Sequence, residues 1–316
     1  MLYPILFLIL GLVFLVKGAD WLVSGASSIA KRFNISDLAI GLTIVAFGTS
    51  APELVVNVVA SIQKHQEIVF GNVIGSNIFN LMGILGIVGL IAPLTVQSST
   101  AWKEIPLSFV AALVLFFMAN AWFLSDELIV SRFDGIILLL GFAGFLFYVS
   151  KQLKKDEATL DESNEKQLSV GKASSFIGIG LAALIGGGRL VVDNAIEIAH
   201  YLQWSEKIIG LTIVSIGTSL PELATSVVAV MKKNTDIAVG NVVGSNIFNI
   251  LLILATSALV SPIPYSTGFN IDLLVLLGGT AFLFAAMFLG GRKTLDRWEA
   301  GILLMGYVGY TIYLIG

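Results

Sequence analysis

Long apolar runs separated by short polar breaks occupy almost the whole chain. A helix of about 20 apolar residues is long enough to cross a hydrocarbon core roughly 30 Å thick. Runs of about that length or longer lie at residues 2–29, 38–62, 68–92, 105–124, 128–150, 174–200, 208–231, 237–260, 271–290 and 298–315. The pattern therefore predicts an all-α integral membrane protein with ten transmembrane helices and no soluble domain between them.

The composition agrees with a chain that is surrounded by lipid. Of the 316 residues, 56% are hydrophobic and only 12% are charged, and the mean hydropathy is +0.92. A soluble domain carries about twice that share of charged residues, roughly 25%. The chain contains no cysteine, which excludes disulfides, thiolate nucleophiles and cysteine metal sites. We expect the lipid bilayer as the surroundings, no nucleic-acid partner, no cofactor and a functional monomer.

The basic residues fall mainly in alternate polar breaks. If both termini are extracytoplasmic, thirteen of the 18 Lys and Arg residues lie in cytoplasmic loops, and only Lys64, Arg132 and Lys207 lie in the opposite loops. Cytoplasmic loops of membrane proteins are enriched in Lys and Arg. The pattern therefore predicts a multi-pass protein of the cell membrane, plasma or inner, with both termini outside the cytoplasm.

Residues 40–93 and 209–262 are two copies of one sequence. They align without a gap at an offset of 169, and about 30 of the 54 aligned pairs are identical, which indicates a duplication. Each half then contains five spans, and an odd number makes the second half enter the membrane upside down. We therefore expect two inverted five-helix repeats, at 1–150 and 174–316, joined by a cytoplasmic linker at 151–173.

Four short polar segments interrupt the apolar runs, two in each repeat. They are GTSAPE at 48–53, GSNIFN at 75–80, GTSLPE at 217–222 and GSNIFN at 244–249. Pro52 and Pro221 each remove a backbone donor and clash with the preceding turn, which frees carbonyl groups inside a span. We therefore expect broken helices at the membrane midplane.

Glu53 and Glu222 lie about half way along otherwise apolar spans, with no Lys or Arg nearby in sequence. An ionised carboxylate at that depth is costly unless a cation compensates it; a protonated carboxyl hydrogen-bonded within the bundle is the structural alternative. Oxygen-bearing residues share a helix face at i, i+4 spacing in four pairs: Thr49 with Glu53, Thr218 with Glu222, Ser76 with Asn80, and Ser245 with Asn249. Because Ca²⁺ prefers such oxygen ligands, the sequence predicts a hard-cation site.

These segments resemble the paired signatures of the sodium/calcium exchanger family, in which each Gly-Thr-Ser-x-Pro-Glu is followed by Gly-Asn-Val-x-Gly-Ser-Asn-Ile-Phe-Asn. The resemblance covers all ten spans. It implies a secondary antiporter that exchanges Ca²⁺ for Na⁺ by alternating access, with the first and sixth spans sliding across a core bundle. It also implies that Glu53 and Glu222 bridge Ca²⁺ and Na⁺.

The resemblance further implies roles for the neighbouring residues. Thr49 and Thr218 contribute hydroxyl or backbone oxygen, and Asn80 is a central ligand. Flanking Na⁺ sites use Ser50, Ser219, Ser76 and Ser245. The family often contributes only a backbone carbonyl at the position of Ala46, and Ser215, its equivalent in the second repeat, departs from that pattern. Asn249 departs from the family, where many members carry aspartate, so this site has two carboxylates. Stoichiometry, K⁺ dependence and proton coupling stay open.

Three other functions compete with Na⁺/Ca²⁺ exchange. H⁺/Ca²⁺ antiport is the nearest alternative, because two glutamates carry protons as readily as Na⁺. A cation channel is less favoured, since an inverted repeat with broken helices is typical of transporters. A hydrolase with Ser50 or Ser219 as nucleophile would need a His or Lys to activate the serine. None is placed to do so, and we expect no enzyme activity.

Overall fold

The computed structural model describes residues 2–33, 35–64, 66–120, 128–152, 168–201, 215–289 and 293–315. Its elements in chain order are α1 (Leu2–Phe33), α2 (Asp37–Thr49), α3 (Ala51–Ile62), α4 (Gln66–Ile91), β1 (Leu94–Thr95), α5 (Thr100–Ala119), β2 (Ile129–Val130), α6 (Arg132–Gln152), α7 (Val170–Tyr201), α8 (Ser215–Thr218), α9 (Leu220–Met231), α10 (Thr235–Val260), β3 (Ile263–Pro264), α11 (Asn270–Leu289), β4 (Thr294–Leu295) and α12 (Arg297–Ile315).

Membrane-crossing helices dominate the described part of the chain. Seven of its helices are long and apolar enough to cross a membrane, namely α1, α4, α5, α6, α7, α10 and α11, and the bent pair α2–α3 makes an eighth. The prediction of a helical multi-pass membrane protein is confirmed. Ten spans stay a prediction, because α12, the tenth predicted span, is not among these helices, and residues 208–214 of the seventh predicted span lie outside the described residues. Most of the predicted linker, 153–167, also lies outside them.

The two halves contact each other through equivalent residues. β1 pairs with β4 and β2 pairs with β3, both antiparallel, and β1 is the sequence equivalent of β3. Arg132 Nε donates to the carbonyl of Leu259 near the end of α10 at 3.1 Å, and Arg297 Nη2 donates to the carbonyl of Ile91 at the end of α4 at 3.2 Å. The strand pairs and the arginine contacts are therefore reciprocal: each half makes to the other the contact that it receives.

The long helices α1 and α7 pack closely on each other through glycines. A Cβ on Gly18 would lie 2.8 Å from the carbonyl oxygen of Gly180, and a Cβ on Gly180 would lie 2.7 Å from the backbone nitrogen of Leu22. Small residues allow this approach between membrane helices, where van der Waals packing replaces the hydrophobic effect. The pair therefore forms one closely packed unit of the fold.

Helices α4 and α10 form the centre of the molecule. In their most apolar windows, 78% and 94% of the residues are buried, compared with 22–44% for α1, α5, α6, α7 and α11. Gly244 allows α10 to approach α2, because a Cβ there would lie 2.8 Å from the Cβ of Ala46. The GSNIFN segments thus lie in the protein interior, beside the break between α2 and α3.

Candidate cation-binding site

Two broken helices place the glutamates. Helices α2 and α3 are bent by 46° at Ser50. Pro52 lies in the first turn of α3, where backbone N–H groups have no partner within the helix, so the missing N–H of proline costs no helical hydrogen bond. Ser219 separates α8 from α9 at the equivalent position of the second half. The predicted breaks are therefore confirmed. Glu53 and Glu222 both fall in the first turn of the following helix, where the helix dipole stabilises negative charge.

The two central asparagines lie in widened helical turns. Asn80 lies in the π-helical segment Phe79–Ile84 of α4, and Asn249 begins the segment Asn249–Leu254 of α10. Single π turns inside α-helices are rare and frequently occur at functional sites. Both asparagines are almost completely buried. The repeated GSNIFN segment therefore produces the same local distortion in both halves.

Each glutamate is held by a serine of the other half. Ser219 Oγ donates to Glu53 Oε1 at 3.1 Å, and Ser50 Oγ donates to Glu222 Oε1 at 2.8 Å. Ser245 Oγ lies 3.0 Å from Ser50 Oγ and 3.4 Å from Glu222 Oε1. Both carboxylates are buried, Glu53 at 2% exposure and Glu222 at 0%. The carboxylates of the two halves are thus brought into one polar cluster in the protein interior.

Several oxygens of this cluster have no protein partner. Among the described residues, no hydrogen bond reaches Glu53 Oε2, Glu222 Oε2, Asn80 Oδ1 or Asn249 Oδ1, all of which are buried. Asn249 Nδ2 donates to Asn77 Oδ1 at 3.0 Å, which orients that amide. Buried polar atoms are rarely left without a partner, because their desolvation is then uncompensated. These four acceptor oxygens are of the kind that coordinates a hard cation.

The protein itself offers little positive charge to the glutamates. The ion pairs Arg189–Asp193 and Lys232–Asp20 in the described part of the chain include neither of them. Within those residues no group of three or more His, Cys, Asp or Glu side chains could hold a metal ion. Any cation bound here would therefore take its remaining ligands from neutral hydroxyl, amide and carbonyl oxygens.

The other predicted ligands lie around the same cluster. Thr49, Ser76, Ser245 and Thr218 are buried, and Thr49 and Thr218 follow the crosswise pattern by contacting asparagines of the opposite half. The carbonyl of Ala46 lies 3.3 Å from Thr49 Oγ1 and also accepts from the backbone N–H of Ser50. Ser215 begins α8, and its side chain lies outside the described part of the chain.

Sequence reasoning missed three of the buried asparagines that shape this cluster. Asn72 and Asn241 precede Ser76 and Ser245 by four residues, so helical spacing places them on the same face. The i, i+4 spacing could have identified both asparagines from the sequence. Asn77 is different, because spacing places it off the face of Ser76 and Asn80, yet it contacts Asn249 and Asn246 of the other half.

Comparisons with known proteins agree with this geometry. The sequence profile of the sodium/calcium exchanger protein family matches residues 3–151 and 172–316. Inner membrane protein YrbG of Escherichia coli (strain K12) is 37% identical over 320 residues, covering 97% of this chain and 94% of YrbG. The sodium/calcium exchanger MaX1 of Methanosarcina acetivorans is 34% identical over 349 residues, covering 98% and 97%.

The fold matches a solved exchanger along almost its whole length. A structure of the sodium-calcium exchanger NCX_Mj, soaked with 2.5 mM Na⁺ and 10 mM Sr²⁺, superposes with a TM-score of 0.82 at 32% identity, covering 98% of each chain. The family profile and this structure both include the two halves that carry the buried glutamates. On that ground the chain belongs to the sodium/calcium exchanger family, whose members are membrane transporters for cation/calcium exchange.

Proposed function

We propose that this protein is a secondary antiporter that exports Ca²⁺ from the cell in exchange for Na⁺, by alternating access. The observation that carries the proposal is the pair of buried glutamates, each with one oxygen bound to a serine of the opposite half and one oxygen without a protein partner. Such a pair is poorly compensated by the protein alone, and a cation compensates it. The relatives with sodium/calcium exchanger names support the choice of ions.

The charge of the pocket explains why Ca²⁺ and Na⁺ would compete. With both glutamates ionised the pocket carries two negative charges, so one Ca²⁺ or two Na⁺ neutralise it. A charged, unoccupied pocket is costly to carry across the membrane interior. The halves therefore rearrange only with cations bound, and this requirement enforces exchange. The proposed ligands are Glu53, Glu222, Thr49, Thr218, Asn80, Asn249, Ser50, Ser219, Ser76, Ser245 and the carbonyls of Ala46 and Ser215.

We further propose that ten spans form two inverted five-helix repeats, 1–150 and 174–316, with the linker 151–173 in the cytoplasm and the site at the midplane. The exchanged strand and arginine contacts between the halves support this arrangement. The protein acts as a monomer in the cell membrane with both termini outside the cytoplasm. The distribution of Lys and Arg supports that orientation.

H⁺/Ca²⁺ antiport is the second candidate. The same observation favours it, because two buried carboxylates without a cationic partner are suited to carry protons in place of Na⁺. A cation channel is a weaker third candidate, since both glutamates are buried inside the bundle.

The deciding experiment is ⁴⁵Ca²⁺ uptake into proteoliposomes loaded with Na⁺ and diluted into Na⁺-free buffer, compared with liposomes that carry only a pH gradient. Uptake driven by the outward Na⁺ gradient is expected, and it should stop when Na⁺ is equal on both sides. Uptake driven only by the pH gradient would replace the proposal with H⁺/Ca²⁺ antiport. Uptake that needs no counter-ion gradient would indicate a channel.

A further inference from the structure

Asn241 connects the two halves beside the proposed site. It is completely buried on α10, and its Oδ1 lies 3.0 Å from Thr49 Oγ1. Its Nδ2 donates to the backbone carbonyl of Glu222 at 3.2 Å and to Ser226 Oγ at 3.1 Å. A carbonyl only accepts hydrogen bonds, so the amide nitrogen faces Glu222 and the amide oxygen faces Thr49. Thr49 is therefore the donor in its contact with Asn241.

This contact decides where the single hydroxyl proton of Thr49 goes. Three other acceptors compete for it: the carbonyl of Val45 at 3.1 Å, that of Ala46 at 3.3 Å, and the Glu222 carboxylate, which the Thr49 hydroxyl also approaches. When Asn241 accepts the proton, the lone pairs of Thr49 Oγ1 stay available, and the hydroxyl occupies neither carbonyl. When it does not, the hydroxyl turns back onto its own helix, as Thr side chains do inside helices, or points at the Glu222 carboxylate that the ion would use. Asn241 thereby determines whether Thr49 presents oxygen to a cation.

Asn72 performs the equivalent task in the other half. Its Oδ1 lies 3.2 Å from Thr218 Oγ1 and 3.3 Å from Ser76 Oγ, two of the proposed ligands. The halves differ in the contacts of the amide nitrogen. The backbone carbonyl of Glu53 accepts from Asn57 Nδ2 at 2.7 Å, and Asn72 Nδ2 has no partner among the described residues. Asn241 is therefore anchored through both amide atoms, and Asn72 through its oxygen alone.

We propose that Asn241 and Asn72 are positioning residues for cation binding. Each accepts the hydroxyl proton of a ligand threonine in the opposite half, so that the threonine oxygen presents its lone pairs to the ion. The inference rests on the proposed function, because it takes Thr49 and Thr218 to be ligands. Partners that orient metal ligands typically contribute about ten- to a hundredfold to affinity. Asn241 has the larger effect on cation affinity, because hydrogen bonds fix both of its amide atoms.

The test uses the full-length protein and two readouts, Ca²⁺ affinity by calorimetry in detergent and the KM and kcat of ⁴⁵Ca²⁺ uptake. Asn241→Leu is nearly isosteric, and we expect it to raise the Ca²⁺ Kd and KM roughly tenfold with a smaller change in kcat. Thr49→Val should do the same, and the double variant should be no worse than either single one. Asn72→Leu, Thr218→Val and their double variant form a second series. Asn72→Leu leaves fewer polar groups without a hydrogen bond than Asn241→Leu does, because only the amide oxygen of Asn72 has partners.

Asn120→Leu is the matched control, because Asn120 is also an asparagine whose amide bonds across the halves, to Asn270 at 2.8 and 3.0 Å. It should lower stability without changing the Ca²⁺ Kd. Wild-type Kd values for folded Asn241→Leu and Asn72→Leu would overturn the inference, and so would additive losses in both double variants. If the wild-type protein binds Ca²⁺ but takes up none under a Na⁺ gradient, the proposed Na⁺ coupling fails, and the calorimetric Kd values still decide this inference.

Discussion

Replacing Glu53 by glutamine removes one charge from the proposed site and changes little else. Glutamine has nearly the same shape, and its carbonyl oxygen can accept the 3.1 Å hydrogen bond that Ser219 donates to Glu53 Oε1. The atom that changes is Oε2, the oxygen that lacks a partner among the described residues. In its place the variant presents an N–H group, which repels a cation. We expect a folded protein with a defective site.

The size of the defect follows from the charge that is lost. Two unit charges 4 Å apart attract by about 4 kcal/mol at an effective dielectric constant of 20, and Ca²⁺ carries two charges. Removing one partner from a buried charge pair costs about 3–5 kcal/mol. The smaller value, about 3 kcal/mol, corresponds to a Ca²⁺ affinity roughly a hundredfold weaker. Glu222→Gln should behave alike, since Ser50 holds Glu222 in the same way.

The assay is ⁴⁵Ca²⁺ uptake by proteoliposomes over a series of Ca²⁺ concentrations, with calorimetric Kd values for the same variants. Glu104→Gln is the control. Glu104 is also completely buried, its Oε1 accepts from the Tyr148 hydroxyl, and its Oε2 has no partner among the described residues. Its substitution should leave the Ca²⁺ affinity unchanged. Equal affinities for Glu53→Gln and Glu104→Gln would refute the assignment of Glu53 to the site.

Three further results are expected. Asn249→Asp should change either the apparent Ca²⁺ affinity, if the new carboxyl ionises, or the pH dependence of uptake between about pH 6 and 9, if burial keeps it protonated; unchanged curves would remove Asn249 from the site. Because the chain has no native cysteine, Asn164→Cys and Gln203→Cys can be labelled selectively in intact cells and inverted vesicles, and labelling from the same side would contradict the inverted topology. Gly244→Ala should lower the free energy of unfolding by about 1–3 kcal/mol through overpacking, because the new Cβ would lie 2.8 Å from the Ala46 side chain of α2. Gly309→Ala is the control, since its Cβ would have nothing within 4 Å. Equal melting temperatures for the two variants would show that α10 can shift.

The sequence by itself determined the features that depend on one segment at a time. The length of the apolar runs indicates a lipid environment. The breaks at Ser50 and Ser219 follow from the prolines two residues later. The buried positions of Glu53 and Glu222 follow from the helices that contain them. The duplication was equally visible, because an offset of 169 that holds over 54 residues needs no structure to detect it.

Only the tertiary structure decided which groups meet across the two halves. Helical spacing assigns a side chain to a face, but the partner on the opposite face depends on how two helices approach and rotate against each other. Ser50 therefore binds Glu222, although Glu53 is the glutamate three residues after it. Ser219 likewise binds Glu53, although Glu222 follows it by three residues. Asn77 contacts Asn249 for the same reason. Hydrogen bonds between segments about 170 residues apart are a property of the packing, because each depends on distances of a few tenths of an ångström that residue types alone do not encode.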